Sequence, residues 1–339
     1  MTEDADLVGQ VAADILERTC GPEVVAAAEG GWSPEVWSAL DASDLTRVGV
    51  PEERGGPGGG WPEAAAVLRA CGRHAAPVPI AESSVLAGWL LADAGLEVPR
   101  GPLTVARGDG LRFAGGVLRG VAPRVAWARQ ARSIVVLAHL EDGLGVALVD
   151  PAACRIAPGL NLAREPRDGV TFDDIRVVAT PVAADAALRI EQRGALARAV
   201  QMAGALDRIL DLTVSHVHSR EQFGRPLAQL QAVQQEIARL AGEVASAGAA
   251  VEAAVGATDD PARIASAKIR AGLAAAEATR IAHQLHGAIG VTQEHRLHHF
   301  TSRLWSWRDE YGGERLWAGR LGRIVAALGP DDYWAWLTR

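Results

Sequence analysis

The chain has little cysteine, almost no lysine and few aromatics, and each shortage excludes something. Its three cysteines in 339 residues, Cys20, Cys71 and Cys154, lie far apart and are odd in number. They form neither a disulfide framework nor a metal-ligand spacing, so ordinary thiols are expected. The single lysine, Lys268, leaves nearly all positive charge to arginine, the cation suited to phosphate and carboxylate recognition. Positive charge is itself in deficit. A net charge of −7 argues against nucleic acid or an anionic membrane as the main partner. No uninterrupted apolar run reaches the roughly 20 residues of a membrane span. The opening Met1-Thr2-Glu3-Asp4 is acidic and lacks the basic and apolar regions of a signal peptide. A cytoplasmic location is expected.

At 49% hydrophobic and 22% charged, the chain reads as globular and long enough for two or three structural units. Its patterning changes twice. Residues 1–100 read as a helical domain with one irregular break, Pro51 to Gly60, too rich in glycine and proline for regular structure. Val36, Leu40 and Leu45 before the break, and Ala64, Val67 and Leu68 after it, keep helical spacing. Another apolar helix is expected over about 83–95. Residues 101–185 carry short, Gly-bounded, partly β-branched runs: 103–105, 115–118, 133–137, 145–149 and 170–172. Such runs at close spacing suggest a small β-sandwich or barrel.

Residues 186–339 return to helical periodicity. Leu196, Val200, Ala203, Leu206 and Leu210 step by three or four, as do Leu230, Val233, Ile237, Leu240 and Val244. Asp259-Asp260-Pro261 opens a third long helix, with proline tolerated at the first helical position. A shorter fourth helix follows Gly312-Gly313. Long amphipathic helices on short loops read as a four-helix bundle. The fold class is therefore mainly α with a small β domain.

Two bundle segments carry chemistry. Ser219-Arg220-Glu221-Gln222-Phe223-Gly224-Arg225-Pro226 breaks a helix at a corner and presents an arginine and free backbone N–H groups, a combination suited to an anion. Spacing alone also describes an ordinary helix–helix turn with a solvated arginine. In His283-Gln284-Leu285-His286-Gly287-Ala288-Ile289-Gly290 a long helix ends in small residues that permit close backbone approach or positive φ. By itself this is equally a C-cap with a tight turn, and His286 alone reads as a packed histidine.

Together these segments resemble the acyl-CoA dehydrogenase family over nearly the whole chain. Pro51-Glu52-Glu53-Arg54-Gly55-Gly56 looks like the family's N-terminal-domain loop. Arg220-Glu221-Gln222-Phe223-Gly224 looks like its signature after the first bundle helix. Gln284-Leu285-His286-Gly287-Ala288-Ile289-Gly290 looks like its Gly-rich segment. The resemblance implies FAD as cofactor and an acyl-CoA as substrate. It implies that both bundle segments contact FAD across a subunit interface. Arg220 would meet the pyrophosphate, Gln222 and Phe223 would line the adenosine side, and Gln284, Gly287 and Ala288 would offer polar and backbone contacts.

The chain departs from the family where a catalytic base is needed. That carboxylate must stand within proton-transfer reach of the substrate α-carbon. One family position falls near Gly194, with Glu191 the closest carboxylate. The other falls in Arg308-Asp309-Glu310-Tyr311-Gly312-Gly313, where Glu310 is nearest but the residue order is changed. Glu310 is the candidate base; a solvated or capping carboxylate is the alternative. The β-domain segments that hold the isoalloxazine ring in the family have no counterpart. Residues 101–135 offer Arg119, Arg124, Trp127 and Arg132 instead. Keeping what it would lend to a neighbour's flavin, and lacking what holds its own, the chain is similar to the short subunit of heteromeric α2β2 actinobacterial enzymes acting on bulky substrates such as sterol side chains. The resemblance implies a longer, base-carrying paralogue as partner and an electron-transfer flavoprotein as acceptor. A self-sufficient homo-oligomer using Glu310, and a non-enzymatic scaffold or ligand-binding member of the fold, are the other readings. Trp305, Trp307, Trp317, Trp334 and Trp336 crowd the last part of the chain and suit either an interface or internal packing.

Overall fold

The computed structural model describes residues 2–222, 224–329 and 331–337. Helix α1 (Glu3–Thr19) starts at Thr2, whose side chain accepts from the Ala5 amide; Glu3, Asp4 and Asp6 in its first turn complement the positive helix end. Then come α2 (Pro22–Ala27), α3 (Pro34–Asp41) and α4 (Trp61–His74), each with proline in its first turn. The irregular break before α4 holds one 3-10 turn, Glu52–Arg54.

The helix expected over about 83–95 differs from a regular one. Glu82–Gly88 winds as a wide π-type segment and only then continues as α5 (Trp89–Asp93). Its polar residues explain the winding. Ser83 Oγ both donates to the Leu103 carbonyl (3.1 Å) and accepts from the Leu103 amide (2.9 Å), and Ser84 Oγ donates to Val48 O at 2.5 Å. Glu82 meets Arg198. Side-chain bonds to three other elements outweigh regular α winding here.

The sheet comprises β1 (Leu103–Ala114), β2 (Val117–Ala126), β3 (Ser133–His139), β4 (Leu144–Val149), β5 (Arg155–Ala157), β6 (Arg167–Arg176) and β7 (Thr180–Val182). Their spatial order is β5-β6-β2-β1-β3-β4-β7, with β1 and β3 parallel and the other neighbours antiparallel. The five expected runs fall on β1 to β4 and β6, with Gly115-Gly116 forming the β1–β2 turn. The three-residue β5 and β7 are too short to show a period. Register shifts in β1 and β2 bend the sheet around a core of its own, which includes Phe113, Leu118 and Phe172. Strand β3 serves two cores: Ile134 and Val136 point into that one, whereas Val135 and Leu137 join the helical core. Covered on both faces, β3 reads as continuously apolar.

The bundle is formed by α6 (Ala186–Ser219), α7 (Gln231–Val255), α8 (Pro261–His286), α9 (Leu297–Asp309) and α10 (Glu314–Ala327), followed by the short α11 (Tyr333–Leu337). Asp260 caps α8 by accepting from the Ala262 and Arg263 amides. Helix α6 is the axis of the molecule, packing against α4, α7, α8 and α9. From Gly194 to Leu206 every residue of it is buried, so the helix is apolar almost all round. The charged residue in that stretch is Arg198. Among the described residues no helix is long and apolar enough to cross a membrane.

Candidate functional site

Two regions along α6 bear on function. The first is a cleft of about 810 Å³ between the sheet and the bundle, lined among others by Thr104, Arg107, Arg124, His139, Arg198 and Tyr311. Glu310, just after α9, stands in its wall with its side chain 11% exposed. Both of its oxygens are taken. Oε1 accepts from Arg167 Nε at 2.7 Å, and Oε2 accepts from Arg198 Nε at 2.7 Å and Arg167 Nη2 at 3.1 Å. Burial alone would raise this carboxyl, but the charges of Arg167 and Arg198, and then their hydrogen bonds, hold it well below the usual carboxylate range. A carboxylate so held is a weak proton acceptor.

The pairing extends in both directions. Arg198 also binds Glu82 and Gln201, the latter at 2.6 Å. Arg167 donates to Glu165 at 3.0 Å, and Glu165 in turn accepts from Trp307 Nε1 (3.0 Å) and pairs with Arg303 (3.3 Å). The result is an alternating line of charges, Glu82–Arg198–Glu310–Arg167–Glu165–Arg303. It crosses from the π-type segment through α6 and β6 to α9. Buried charges persist only when compensated in this way. Lys268 adds a support from α8: its Nζ donates to the Trp307 and Arg308 carbonyls at 2.6 and 3.0 Å, closing the end of α9 just before Glu310. Burial pushes its pKa down to about 7.

Tyr311 completes the closure. Its backbone is left-handed, with φ of 56°, and its ring lies against Gly194, where an added Cβ would collide with it. The cations of Arg107 and Arg198 sit 5.3 and 6.0 Å from the ring centroid. Burial pushes the phenol up to about 12. Glu191, the carboxylate nearest in sequence to Gly194, is paired with Arg320 at 2.7 Å. Arg119 pairs with Asp174 on the sheet surface, and Trp127 is buried in the chain's own core at 2% exposure. Trp307 and Trp317 also pack internally, whereas Trp305 is 38% exposed.

The second region is open. Helix α6 ends at Ser219, and the chain returns through the paired β8 (Glu221–Gln222) and β9 (Arg225–Pro226), with the Leu227 amide donating to Arg220 O at 2.9 Å. Beside it α8 ends at His286, and Gly287 turns the chain with φ of 63°. That angle is strained for any side chain, and the space beyond its Cα is empty. The two helix ends form a groove of about 830 Å³ whose lining includes Arg220, Gln222, Gln284, Gly287 and Ala288. Five of the six residues singled out from the bundle motifs therefore share one groove; Phe223 lies outside the described residues. Arg220 is exposed and, among the described residues, meets no carboxylate within 4 Å. His216 and His286 stack at 4.4 Å under the groove. His286 Nδ1 donates to Ala282 O at 2.7 Å, which leaves Nε2 without a partner. An unpaired guanidinium, exposed amide side chains and a bare glycine turn fit a diphosphate-bearing cofactor.

A helical layer, a curved sheet and a bundle with two helix ends around an anion-ready groove define the acyl-CoA dehydrogenase fold. The comparisons agree. Residues 2–99 match the acyl-CoA dehydrogenase N-terminal domain and residues 186–307 its C-terminal domain. A relative called acyl-CoA dehydrogenase IpdE2, from Mycolicibacterium smegmatis, is 31% identical over 311 residues, spanning 89% of this chain and 93% of that protein. The ChsE4-ChsE5 complex of Mycobacterium tuberculosis contains a chain with a TM-score of 0.88 at 26% identity, covering 97% of this chain and 99% of that one. A chain of the Tcur3481-Tcur3483 steroid enzyme of the same family gives 0.84 at 25% identity, covering 96% and 98%. The chain belongs to the acyl-CoA dehydrogenase family, FAD-dependent oxidoreductases acting on acyl-CoA thioesters.

Sequence reasoning missed the charged line in the cleft, Glu310 excepted. Its partners come from distant segments. One signal was visible: Arg198 is the single charge in a 13-residue apolar stretch of α6, from Gly194 to Leu206. Such a charge requires a buried partner.

Proposed function

We propose that this chain is the flavin-lending subunit of a hetero-oligomeric acyl-CoA dehydrogenase, partnered with a longer paralogue that supplies the catalytic base. The observation that carries this reading is Glu310. Both of its oxygens are engaged by buried arginines, so it has neither the basicity nor the freedom to take an α-proton. Tyr311, packed on Gly194, covers the other position from which a base would act. At the far end of α6 the Arg220 groove faces outward, as a site shared with a second subunit requires. In that site Arg220 would neutralise the pyrophosphate of FAD, Gln222 and Gln284 would donate to its polar edges, and Gly287 and Ala288 would admit it close to the backbone. The bound flavin supplies the hydride acceptor. This chain's residues would bind and orient it and exclude water. The similarity to chains of two-component enzymes, one of them a steroid dehydrogenase, favours a bulky acyl-CoA substrate.

The test is the flavin content and turnover of the chain purified alone and co-expressed with a longer paralogue. Flavin and dye reduction confined to the complex support the proposal. Stoichiometric FAD and turnover by the chain alone overturn it in favour of a self-sufficient enzyme. Glu310→Gln in the active complex separates the two chemically. As a base, Glu310 would be worth about 10²–10⁴ in kcat; as part of the ion line its replacement leaves kcat short of that loss and shows in stability instead.

A further inference from the structure

We infer that the molecule holds a second anion site, a pocket for one compact tetrahedral oxyanion of the phosphate type between Arg208 and Arg296. It lies where the end of α4, the middle of α6 and the start of α9 converge. Arg73 and His74, Arg208, and Arg296 and His299 line it from these three elements, with Cys20 and Pro22 closing the floor.

The charge arrangement is what calls for a ligand. Arg208 and Arg296 are half-buried, and neither has a carboxylate within 4 Å or a side-chain hydrogen bond among the described residues. The other groups facing the pocket do not neutralise them. Arg73 already holds Asp211 at 2.5 Å. Glu17 lies 3.9 Å from His74 but is 74% exposed. Burial is the largest cause that pushes both His74 and His299 down from the ordinary histidine value. Arg208 is pushed down by burial, then by Arg296 and by Arg73. Arg167 and Arg198 are paired with carboxylates, and Arg193 donates to Val85 O at 2.8 Å and lies over the Trp61 and Trp89 rings; among the described residues Arg208 and Arg296 have no partner of either kind. Two half-buried arginines line one pocket with no counterion among the described residues, and an anion between them would offset their mutual repulsion. Their planar forks suit a tetrahedral oxyanion.

Shape limits the ligand. The pocket holds about 30 Å³ and shares Pro22, Arg296 and His299 with a neighbouring groove of about 680 Å³. Glu23 and Glu294 border that groove and repel a second anionic group. The pocket therefore takes one phosphate group, free or on an otherwise uncharged body. Twelve residues of α6 separate Arg208 from Arg220, about 18 Å at 1.5 Å per residue, so one small anion cannot serve both.

The experiment is titration calorimetry of the full chain, with whatever flavin and partner it carries, using inorganic phosphate against chloride at constant ionic strength. The Arg220→Ala background is run in parallel. Phosphate-specific binding retained in Arg220→Ala and weakened at least about tenfold in Arg208→Gln and Arg296→Gln is expected. The two glutamine variants should melt no lower than wild type in chloride, because like-charge crowding is relieved. Glycerol phosphate competing at least as well as phosphate shows an ester-borne ligand, and its failure to compete shows the free ion; either sustains the site. Absence of phosphate binding over chloride, or binding lost in Arg220→Ala yet kept in Arg208→Gln and Arg296→Gln, overturns it. If Arg208→Gln does not fold, Arg296→Gln alone decides by the same criterion.

Discussion

One helix carries two regions with opposite treatment of arginine. Near its N-terminal half, Arg198 is sealed among Glu82, Glu310 and Gln201 and is 3% exposed. Twenty-two residues further on, roughly 33 Å at 1.5 Å per residue, Arg220 stands exposed, without a carboxylate partner among the described residues, beside the Gly287 turn. The first arrangement spends its charges on holding elements together. The second keeps its charge available. What a side chain can do for a ligand depends on how much of its bonding capacity the fold has already used.

The sharpest way to break this contrast is to remove each arginine. Arg198→Met leaves Glu82 buried without its counter-charge and Glu310 with Arg167 alone, and should cost about 3–5 kcal/mol in urea unfolding. Arg220→Ala should stay within about 0.5 kcal/mol of the parent chain, while lowering FAD retention in the complex at least about tenfold. Equal destabilisation by both would erase the distinction. Next in size, Gly194→Ala places a methyl group where the Tyr311 ring lies and should cost about 1–3 kcal/mol. Adding Tyr311→Ala should make the combined loss smaller than the sum of the two single losses in a double-mutant cycle; simple additivity would show that the two residues do not press on each other. A separate effect appears in acid. His286 and His299 are pushed by burial to about 4, below the ordinary histidine value near 6.5. The unfolded chain therefore binds protons first, and stability should fall as the pH drops from about 6.5 towards 4. Glu310, depressed in the folded state, adds stability above the ordinary carboxylate range that is lost as the pH falls further. His286→Gln should flatten the first window and leave the second; an unchanged slope would remove His286 from the account.

Legibility in the sequence followed the range of the interactions. The groove was legible because each half is a local event. A helix stopped by Gly224 and Pro226, and another stopped by Gly287, can be read from neighbours a few residues away. That the halves meet depends only on α6 and α8 ending side by side. Strands β1 to β4 and β6 showed for the same reason, whereas three-residue β5 and β7 had no period to show. Glu310 was visible as a carboxylate, but its character was not. That is set by Arg167 and Arg198, 143 and 112 residues away in the chain. The π-type winding at Glu82–Gly88 was hidden likewise, since the bonds that favour it come from Val48, Leu103 and Arg198.

The packing of Tyr311 on Gly194 also constrains the history open to this chain. No residue with a Cβ fits at 194 while the ring stays where it is, so a carboxylate introduced there gains nothing until position 311 also changes. The two sites should drift as a pair across descendants of this sequence. An ancestor that made the exchange would find the return path closed to any single substitution.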